Sequence, residues 1–292
     1  MPRASCGDES MIVHLIDGTY ELFRHYYGLR RFTKDEDRPF GAVIGVLHTV
    51  LQMIETGATH VGVATDHVIE SFRNRLWSGY KTGDGIEPAL LAQFHPLEEA
   101  LTAMGVAVWP MTELEADDAL ASAAEIASGN EGVQQVCIWT PDKDLAQCVR
   151  GNRIVQVDRR SQKIRDAEGV RKKFGVEPVL IPDFLALVGD AADGYPGIPG
   201  IGPITAARLL NRHGIIASHL TYWGTAATWR CCSRTWRPSG LTRACSVMWT
   251  SSGGAAPPRH SPRVRSTWER LVYGSAPSRR PSLRATLSNK TI

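Results

Sequence analysis

The segment IVHLIDG (12–18) joins an almost wholly apolar, β-branched run to an abrupt polar stop at Asp17. Such a run predicts a short, buried β-strand that ends at the aspartate. Two further segments have the same form and are also expected to be strands. They are HVGVAT (60–65), which stops at Asp66, and QVCIWT (135–140), which stops at Pro141-Asp142.

Helical patterns alternate with these strands. Apolar residues recur at intervals of three and four in the segments 41–55, 93–104, 116–128, 143–149, 166–174 and 182–188. Strands that alternate with helices predict a parallel sheet covered on both faces. The expected fold class is therefore α/β, with a central, mostly parallel sheet flanked by helices.

The three strand ends are expected to meet. In open α/β sheets the ligand crevice lies beyond the carboxyl ends of the strands, so Asp17, Asp66 and Asp142 should converge on one edge. Taken one at a time, Asp17 and Asp66 are better explained as ordinary residues at strand ends. Whether they are metal ligands depends on the other acids that reach the same edge.

The segment EADD (115–118) opens the helical pattern 116–128 with Glu115, Asp117 and Asp118. Acids are favoured at a helix N-terminus by its free N–H groups and by the helix dipole, so capping is the simplest interpretation. One acid is enough for a cap, however, and three acids repel one another without a cation. Metal binding is therefore favoured.

The segment DKD (142–144) places Asp142 and Asp144 directly after a strand. This spacing lets both carboxylates turn toward the crevice. A polar turn explains the motif equally well, because aspartate side chains bond to nearby backbone N–H groups in turns.

The segment GDAADG (189–194) adds Asp190 and Asp193. Their three-residue interval predicts that both lie on one side of a helical turn. A helix end would explain one of them but not both.

Together these acids predict a metal centre. Many carboxylates in a crevice of low dielectric constant cannot all ionise unless cations offset their repulsion. The set contains no His or Cys, so hard ions such as Mg²⁺ or Mn²⁺ fit it best. It is large enough for two ions, which is the arrangement that supports in-line displacement at a phosphodiester.

The segment PGIPGIGPITAARLL (196–210) predicts the hairpin of a helix-hairpin-helix motif. Glycines allow the backbone N–H groups of such a turn to approach a phosphate, and the following helix N-terminus favours an anion. A loop between packed helices is the simpler alternative. The candidate DNA-binding residues are Gly197, Gly200, Gly202, Thr205 and Arg208.

The segment SFRNRLWSGYKTGDGI (71–86) mixes basic and aromatic residues. Arg73 and Lys81 lie among Trp77 and Tyr80, a composition that would grip a single strand by charge and stacking. A solvated basic helix face explains it equally well.

These motifs, in this order, resemble the 5′-3′ exonuclease domain of bacterial DNA polymerase I and related flap endonucleases. The resemblance covers about residues 11–214 and rests on LIDG, the strand ending at Asp66, SFR…GYK, ELEADDALAS, TPDKDLAQ, GDAADGYPGIPGIG and TAARLL. It implies a metal-dependent 5′ nuclease that hydrolyses DNA at 5′ flaps, nicks or branched duplexes. No polymerase segment follows, which suggests a stand-alone nuclease or a shortened product.

The resemblance also implies residue roles. Asp17, Asp66, Glu115, Asp117 and Asp118 would serve a first metal ion, and Asp142, Asp144, Asp190 and Asp193 a second. Arg73, Tyr80 and Lys81 would lie near the scissile phosphate, with Lys81 stabilising the developing charge. A K⁺ ion at the helix-hairpin-helix and a monomeric state are further expectations.

Composition changes sharply after Gly214. Residues 215–292 hold 12 of the 33 Lys+Arg but one of the 30 Asp+Glu, so residues 1–214 carry a net charge of −8. We hypothesise a shifted reading frame near Ile215, and the alternative is an Arg-rich tail that binds nucleic acid. The expected organisation is a loose N-terminal extension (1–10), a PIN-like 5′ nuclease α/β domain (11–180), a helix-hairpin-helix segment (181–214) and an atypical tail (215–292).

Two other functions fit parts of this pattern. A PIN-type ribonuclease shares the small acidic α/β site, although it does not need a duplex-binding hairpin. A catalytically weak or inert binder of branched DNA would keep the fold without turnover. No apolar run reaches the roughly 18 residues of a membrane span, and no signal segment is seen, so a cytoplasmic protein that does not associate with membranes is expected.

Overall fold

The computed structural model describes residues 11–33 and 39–215, with side chains described for 11–28 and 39–215. The strands of this part of the chain are β1 (Met11–Asp17), β2 (His60–Asp66), β3 (Ala107–Met111), β4 (Val133–Trp139), β5 (Ile154–Asp158) and β6 (Lys163–Arg165). Its α-helices are α1 (Gly18–Thr33), α2 (Gly41–Glu55), α3 (Phe72–Leu76), α4 (Pro88–Leu91), α5 (Phe94–Ala103), α6 (Ala116–Ser128), α7 (Ala167–Phe174), α8 (Ile181–Val188) and α9 (Pro203–His213). Short 3-10 helices lie at Asp144–Cys148 and Pro178–Leu180.

The strands form one sheet in the order β3-β2-β1-β4-β5-β6. The first five are parallel, and β6 pairs antiparallel with β5. Asp17 lies beside Ala64, and Ile16 lies beside Trp139 of β4. The carboxyl ends of β1, β2 and β4 therefore share one edge, and the expected α/β fold with a mostly parallel sheet is confirmed.

Helices cover both faces of the sheet. Side chains alternate along each strand, so a continuous apolar strand presents apolar side chains to both faces, and both must be buried. On one face Ile16 packs with α1, α2 and α5, through residues such as Leu22 and Val46. On the other face Leu15 packs against α6, where Leu120 is fully buried. Consecutive residues of β1 thus enter different cores, which holds the strand end beyond them in a fixed position.

Most predicted elements are present. The helices expected at 41–55 and 116–128 have those bounds, and the pattern at 143–149 forms a 3-10 helix. Helices α1, α3 and α4 and strands β3, β5 and β6 were not predicted. Strand β3 contains Pro110, which normally argues against a strand, but β3 is at the edge of the sheet, where a missing N–H is tolerated.

A third apolar cluster joins the end of the α/β unit to α8 and α9. Ala146 and Val170 pack there with Ile181, Ala206 and Leu210. The expected boundary between residues 180 and 181 falls inside this cluster and stays a prediction. The expected extension (1–10) lies outside the described residues, as does the atypical tail beyond Ile215.

None of the helices in the described ranges combines the length and apolarity that crossing a bilayer requires.

Candidate active site

Asp17 ends β1 in a buried position at the shared edge. Its Oδ1 accepts a hydrogen bond from the Tyr20 backbone N–H at 2.8 Å, which caps α1, and its Oδ2 accepts from Thr140 Oγ1 at 3.0 Å. Burial raises the pKa of Asp17 to about 7, and Asp66 and Asp142 add to this rise by repulsion. The predicted convergence of Asp17, Asp66 and Asp142 is therefore seen.

Asp66 connects the end of β2 to the start of α6. Its Oδ1 accepts a hydrogen bond from the Ala116 N–H at 2.7 Å, and its own N–H donates to Thr19 Oγ1 at 2.8 Å. Burial raises the pKa of Asp66. The first turn of α6 is therefore held against the strand edge.

Asp118 and Arg73 form a buried pair. The guanidinium donates to both carboxylate oxygens of Asp118 at 2.7 Å, and Asp118 Oδ2 also accepts from the Glu115 N–H at 2.9 Å. Arg73 is 5% exposed and its guanidinium lies over the Phe72 ring. The protein itself thus supplies partners for both oxygens of Asp118.

Glu115 is also held by side chains. Oε1 accepts from Ser71 Oγ at 2.6 Å, and Oε2 accepts from the Tyr80 hydroxyl at 3.0 Å and lies 3.1 Å from Lys81 Nζ. Burial acts to raise the pKa of Glu115, but Lys81 and Arg73 outweigh it and lower the pKa below its usual value. Glu115 is therefore an ionised, fully engaged carboxylate.

Lys81 connects two groups of acids. Its Nζ lies 3.1 Å from Glu115 Oε2 and 3.2 Å from Asp193 Oδ1, while about a third of its side chain stays exposed. Burial acts to lower the pKa of Lys81, but Asp193 and Glu115 raise it well above the usual value. The ammonium group is therefore held charged at an accessible position between the two groups.

The segment 140–144 presents two acids from one tight turn. The Asp142 N–H donates to Thr140 Oγ1 at 3.2 Å, and the Asp144 N–H donates to Asp142 Oδ1 at 2.8 Å. Asp144 Oδ1 is buried and has no hydrogen-bond partner in the part of the chain that the structure describes. A polar turn therefore accounts for the Asp142 carboxylate, but it does not account for the unpaired Asp144 Oδ1.

Asp190 and Asp193 lie in a turn beyond α8, not on one side of a helical turn as their spacing suggested. Helix α8 ends at Val188, and Asp190 and Tyr195 pair through two backbone hydrogen bonds that close the turn. Gly189, with a φ of 91°, diverts the chain away from the helix. The predicted helical turn was therefore wrong, although the carboxylates of Asp190 and Asp193 still approach a common point.

Asp144, Asp190 and Asp193 come together at that place. Each offers a carboxylate oxygen, and these oxygens lie within 4.8 Å of one another. Lys143 Nζ lies 2.7 Å from Asp190 Oδ1. The cluster therefore joins two segments that are more than 40 residues apart in the sequence.

Several of the carboxylates are strained electrostatically. Burial raises the pKa of Asp117 and of Asp144 well above the usual value, and repulsion from Asp142 is the next cause for both. Burial raises the pKa of Asp193 to about 6. Divalent cations would relieve both the repulsion behind these raised pKa values and the orphaned oxygen of Asp144.

Two of the candidate residues in the basic and aromatic segment 71–86 are buried. Arg73 and Tyr80 are 5% and 4% exposed and face the acids, so they do not form a surface for a single strand. Trp77 Nε1 donates to the Gly194 carbonyl at 3.3 Å, and a Cβ atom at Gly194 would collide with the Gly79 carbonyl oxygen. Arg73 and Tyr80 therefore support the acids, and a contact with a single strand stays a prediction for Lys81 and for exposed residues such as Arg75.

The glycines of the hairpin have different surroundings. Gly197 has a φ of 69°, and a Cβ atom there would collide with the backbone at Val188 and Gly189, so it serves packing. Gly200 and Gly202 have open space around them, and Gly202 precedes α9. On α9 Arg208 is exposed and Thr205 is half-buried. The open part of the hairpin is thus the end next to α9.

Some supporting residues were missed by sequence reasoning. Ser71 and Thr140 each position one of the acids, and Lys143 pairs with Asp190. Their signal is weak, because single hydroxyl and lysine residues are frequent in loops. Only their contacts distinguish them.

Comparison with known proteins gives a consistent result. Residues 12–175 match the model of the 5′-3′ exonuclease N-terminal resolvase-like domain, and residues 176–228 match that of the 5′-3′ exonuclease C-terminal SAM fold. A protein of Aquifex aeolicus named 5′-3′ exonuclease is 33% identical over 213 residues, covering 72% of this chain and 73% of that protein. DNA polymerase I of Pseudomonas aeruginosa is 37% identical over 202 residues, covering 68% of this chain. The chain spans only 22% of that polymerase.

Solved structures share the fold. The D15 protein of bacteriophage T5, co-crystallised with metal ions, has a TM-score of 0.59 at 15% identity, covering 90% of this chain and 98% of its own. Flap endonuclease-1 from Methanococcus jannaschii has a TM-score of 0.56 at 12% identity, covering 90% of this chain and 92% of its own. With more than half of its length matched by the N-terminal family model, the chain belongs to the 5′-3′ exonuclease family.

Proposed function

We propose that this protein is a divalent-metal-dependent 5′ nuclease that hydrolyses DNA phosphodiester bonds as a 5′-3′ exonuclease and 5′ flap endonuclease. The observation that carries the proposal is the convergence of acids from five separate segments on one edge of the sheet, including the cluster of Asp144, Asp190 and Asp193. Members of the same family are named for this activity, and relatives of the same fold include a flap endonuclease.

Two Mg²⁺ or Mn²⁺ ions would be held by the carboxylates. Asp17, Asp66 and Asp117 would provide one site, with Glu115 at its edge, and Asp142 would lie between that site and the cluster of Asp144, Asp190 and Asp193. When bound, such ions supply activation of water and stabilisation of charge on the attacking and leaving oxygens. The raised pKa values of Asp17, Asp117 and Asp144 support this assignment, since a cation relieves the repulsion that causes them.

Lys81 would contact the scissile phosphate. Its ammonium group is charged, partly exposed and placed between Glu115 and Asp193, so a phosphate at the acid edge would come within its reach. A fixed cation stabilises the negative charge that develops on the phosphate oxygens. Lys81 is therefore the candidate catalytic residue of the protein chain itself.

Arg73, Tyr80 and Asp118 would act by positioning. Arg73 uses both of its terminal nitrogens on Asp118, and the Tyr80 hydroxyl donates to Glu115. Buried groups with these partners are not available to a substrate. They instead fix the start of α6, and with it Glu115 and Asp117.

The hairpin would bind the duplex backbone. Gly200 and Gly202 can approach a phosphate closely, and the N-terminus of α9 favours an anion there. Thr205, in the first turn of α9, and Arg208, about one turn further along, would add contacts. A K⁺ ion at this hairpin, a monomeric state and a cytoplasmic location belong to the same proposal.

A cleavage assay tests the function. Purified full-length protein is incubated with a 5′-labelled flap duplex, with and without Mg²⁺, beside an Asp142→Ala variant that controls for contaminating nuclease. We expect Mg²⁺-dependent cleavage near the flap junction that the variant lacks. Binding without cleavage would identify an inert binder of branched DNA, and preferential cleavage of an RNA flap would identify a ribonuclease; either outcome overturns the proposal.

A further inference from the structure

A second group of metal-ligating side chains lies outside the acidic centre. His67, on the loop after β2, approaches His95 and Glu98 on α5, and a ligand atom from each lies within 4.8 Å of the others. His95 and Glu98 are three residues apart, which places them on one face of the helix. The group therefore joins a strand end to a helix that is distant in sequence.

The geometry directs all three side chains at one point. His67 Nδ1 lies 2.7 Å from Glu98 Oε2, and His95 Nδ1 lies 3.8 Å from the same oxygen. The two imidazole rings are in edge contact, with centroids 4.2 Å apart. A hydrogen bond between His67 and Glu98 alone would not require His95 to approach the same oxygen.

A further contact orients the carboxylate. Thr65 Oγ1 donates to Glu98 Oε1 at 2.7 Å, which leaves Oε2 facing the imidazoles. Such partners of a ligating group fix its direction in metal sites. Glu98 is buried, whereas 34% of the His67 side chain and 59% of the His95 side chain are exposed. An ion would thus have an entry path and room for a water ligand.

We propose that His67, His95 and Glu98 form a site for Zn²⁺ or a similar borderline divalent ion, separate from the acidic centre. Two imidazoles and one carboxylate are a ligand set that zinc accepts, with a fourth position left for water. Mg²⁺ prefers oxygen ligands and does not compete well for imidazole nitrogens. The two centres would therefore select different ions by the chemistry of their donors.

The bound ion would act as a cross-link. His67 directly follows Asp66, whose carboxylate accepts a hydrogen bond from the first residue of α6. An ion shared by His67 and α5 would tie the segment that carries Asp66 to the helix layer. The effect is on stability, because a ligand that binds only the folded state stabilises it.

Chelator-competition titration with Zn²⁺ tests the site in full-length protein, with Mg²⁺ in large excess to occupy the acidic centre. The variants are His95→Ala and His67→Ala, and the control is His213→Ala, which removes an exposed histidine at the end of α9. We expect each of the first two to weaken Zn²⁺ binding by at least about tenfold, since losing even an outer partner of a ligand costs that much. His213→Ala should bind as the wild type does.

Thermal melting provides the second readout. Zn²⁺ in the presence of Mg²⁺ should raise the midpoint of the wild type and of His213→Ala, but not that of His95→Ala. His95 is mostly exposed, so in chelator its substitution should leave the melt unchanged. Equal Zn²⁺ affinity in all the proteins would place the zinc at the acids and overturn the proposal. A loss in His67→Ala with none in His95→Ala would also overturn it, because a three-ligand site needs both.

Discussion

Two sets of carboxylates at the same edge of the sheet have opposite surroundings. Glu115 and Asp118, the ion-paired group, are contacted by Arg73 and Lys81. Asp17, Asp117 and Asp144, the open group, have no ion pair with a lysine or arginine among the described residues. Asp117 lies between Glu115 and Asp118 in one helical turn, so neighbouring residues of the sequence fall into different sets.

The difference separates acids that the protein neutralises itself from acids that we propose as metal ligands. The pKa of Glu115 is lowered because Lys81 and Arg73 outweigh the effect of its burial. Burial and mutual repulsion raise the pKa of each member of the open group. The adjacent acids of the open group have no side-chain cation to offset their repulsion among the described residues, which is the basis for proposing that they bind ions from solution.

The largest effect is expected from Asp144→Asn in the open group. Cleavage of the flap duplex should fall at least about 10³-fold, some 4 kcal/mol of transition-state stabilisation, because a metal ligand is lost. In chelator the same variant should melt at a higher temperature than the wild type, since one buried repelling charge is removed. A lower melting temperature would show that Asp144 belongs with the scaffold.

In the ion-paired group we expect the opposite effect on stability, with Arg73→Ala destabilising the protein. The free energy of unfolding should fall by about 3 kcal/mol, because Asp118 would be left buried without its cation. Chemical denaturation measures this value. Arg75→Ala on the same helix is the matched control, since Arg75 is exposed, and an equal loss in both variants would remove the distinction between the two groups.

Lys81→Ala tests the residue that links Glu115 of the ion-paired group to Asp193. We expect cleavage at saturating substrate to fall about 100-fold, with a smaller change in KM, because the ammonium group acts on charge that develops in the transition state. Lys172→Ala, on the exposed part of α7, is the control. A rise in KM at unchanged kcat would instead make Lys81 a binding residue.

The smallest effect is expected away from both sets, at the hairpin. Arg208→Ala should weaken binding to flap duplexes of any sequence and reduce the slope of log affinity against log salt by about 1. Fluorescence anisotropy at several salt concentrations measures the slope. Arg212→Ala, one turn along α9, is the matched control, and equal slopes in wild type and Arg208→Ala would exclude a phosphate contact by Arg208.

The local pattern predicted much of the fold. Strand β1 was visible as a continuous apolar run, which its two buried faces require, and helices α2 and α6 were visible because their apolar residues follow the period of 3.6 that one buried face imposes. Helix α1 was hidden by its mix of aromatic and basic residues, and β3 by Pro110. These two elements are stabilised by their neighbours, which a local pattern does not contain.

The sequence by itself determined that acids follow strands and open a helix, because residue type and spacing are local properties. Tertiary structure alone decided that Asp118 pairs with Arg73 while Asp117 has no ion pair within the described ranges, since burial and charge are set by segments distant in the chain. It also brought His67 to His95 and Glu98, for which the sequence shows no zinc spacing. Coulomb interaction and desolvation act through space, so the order of residues fixes which groups exist but not which of them meet.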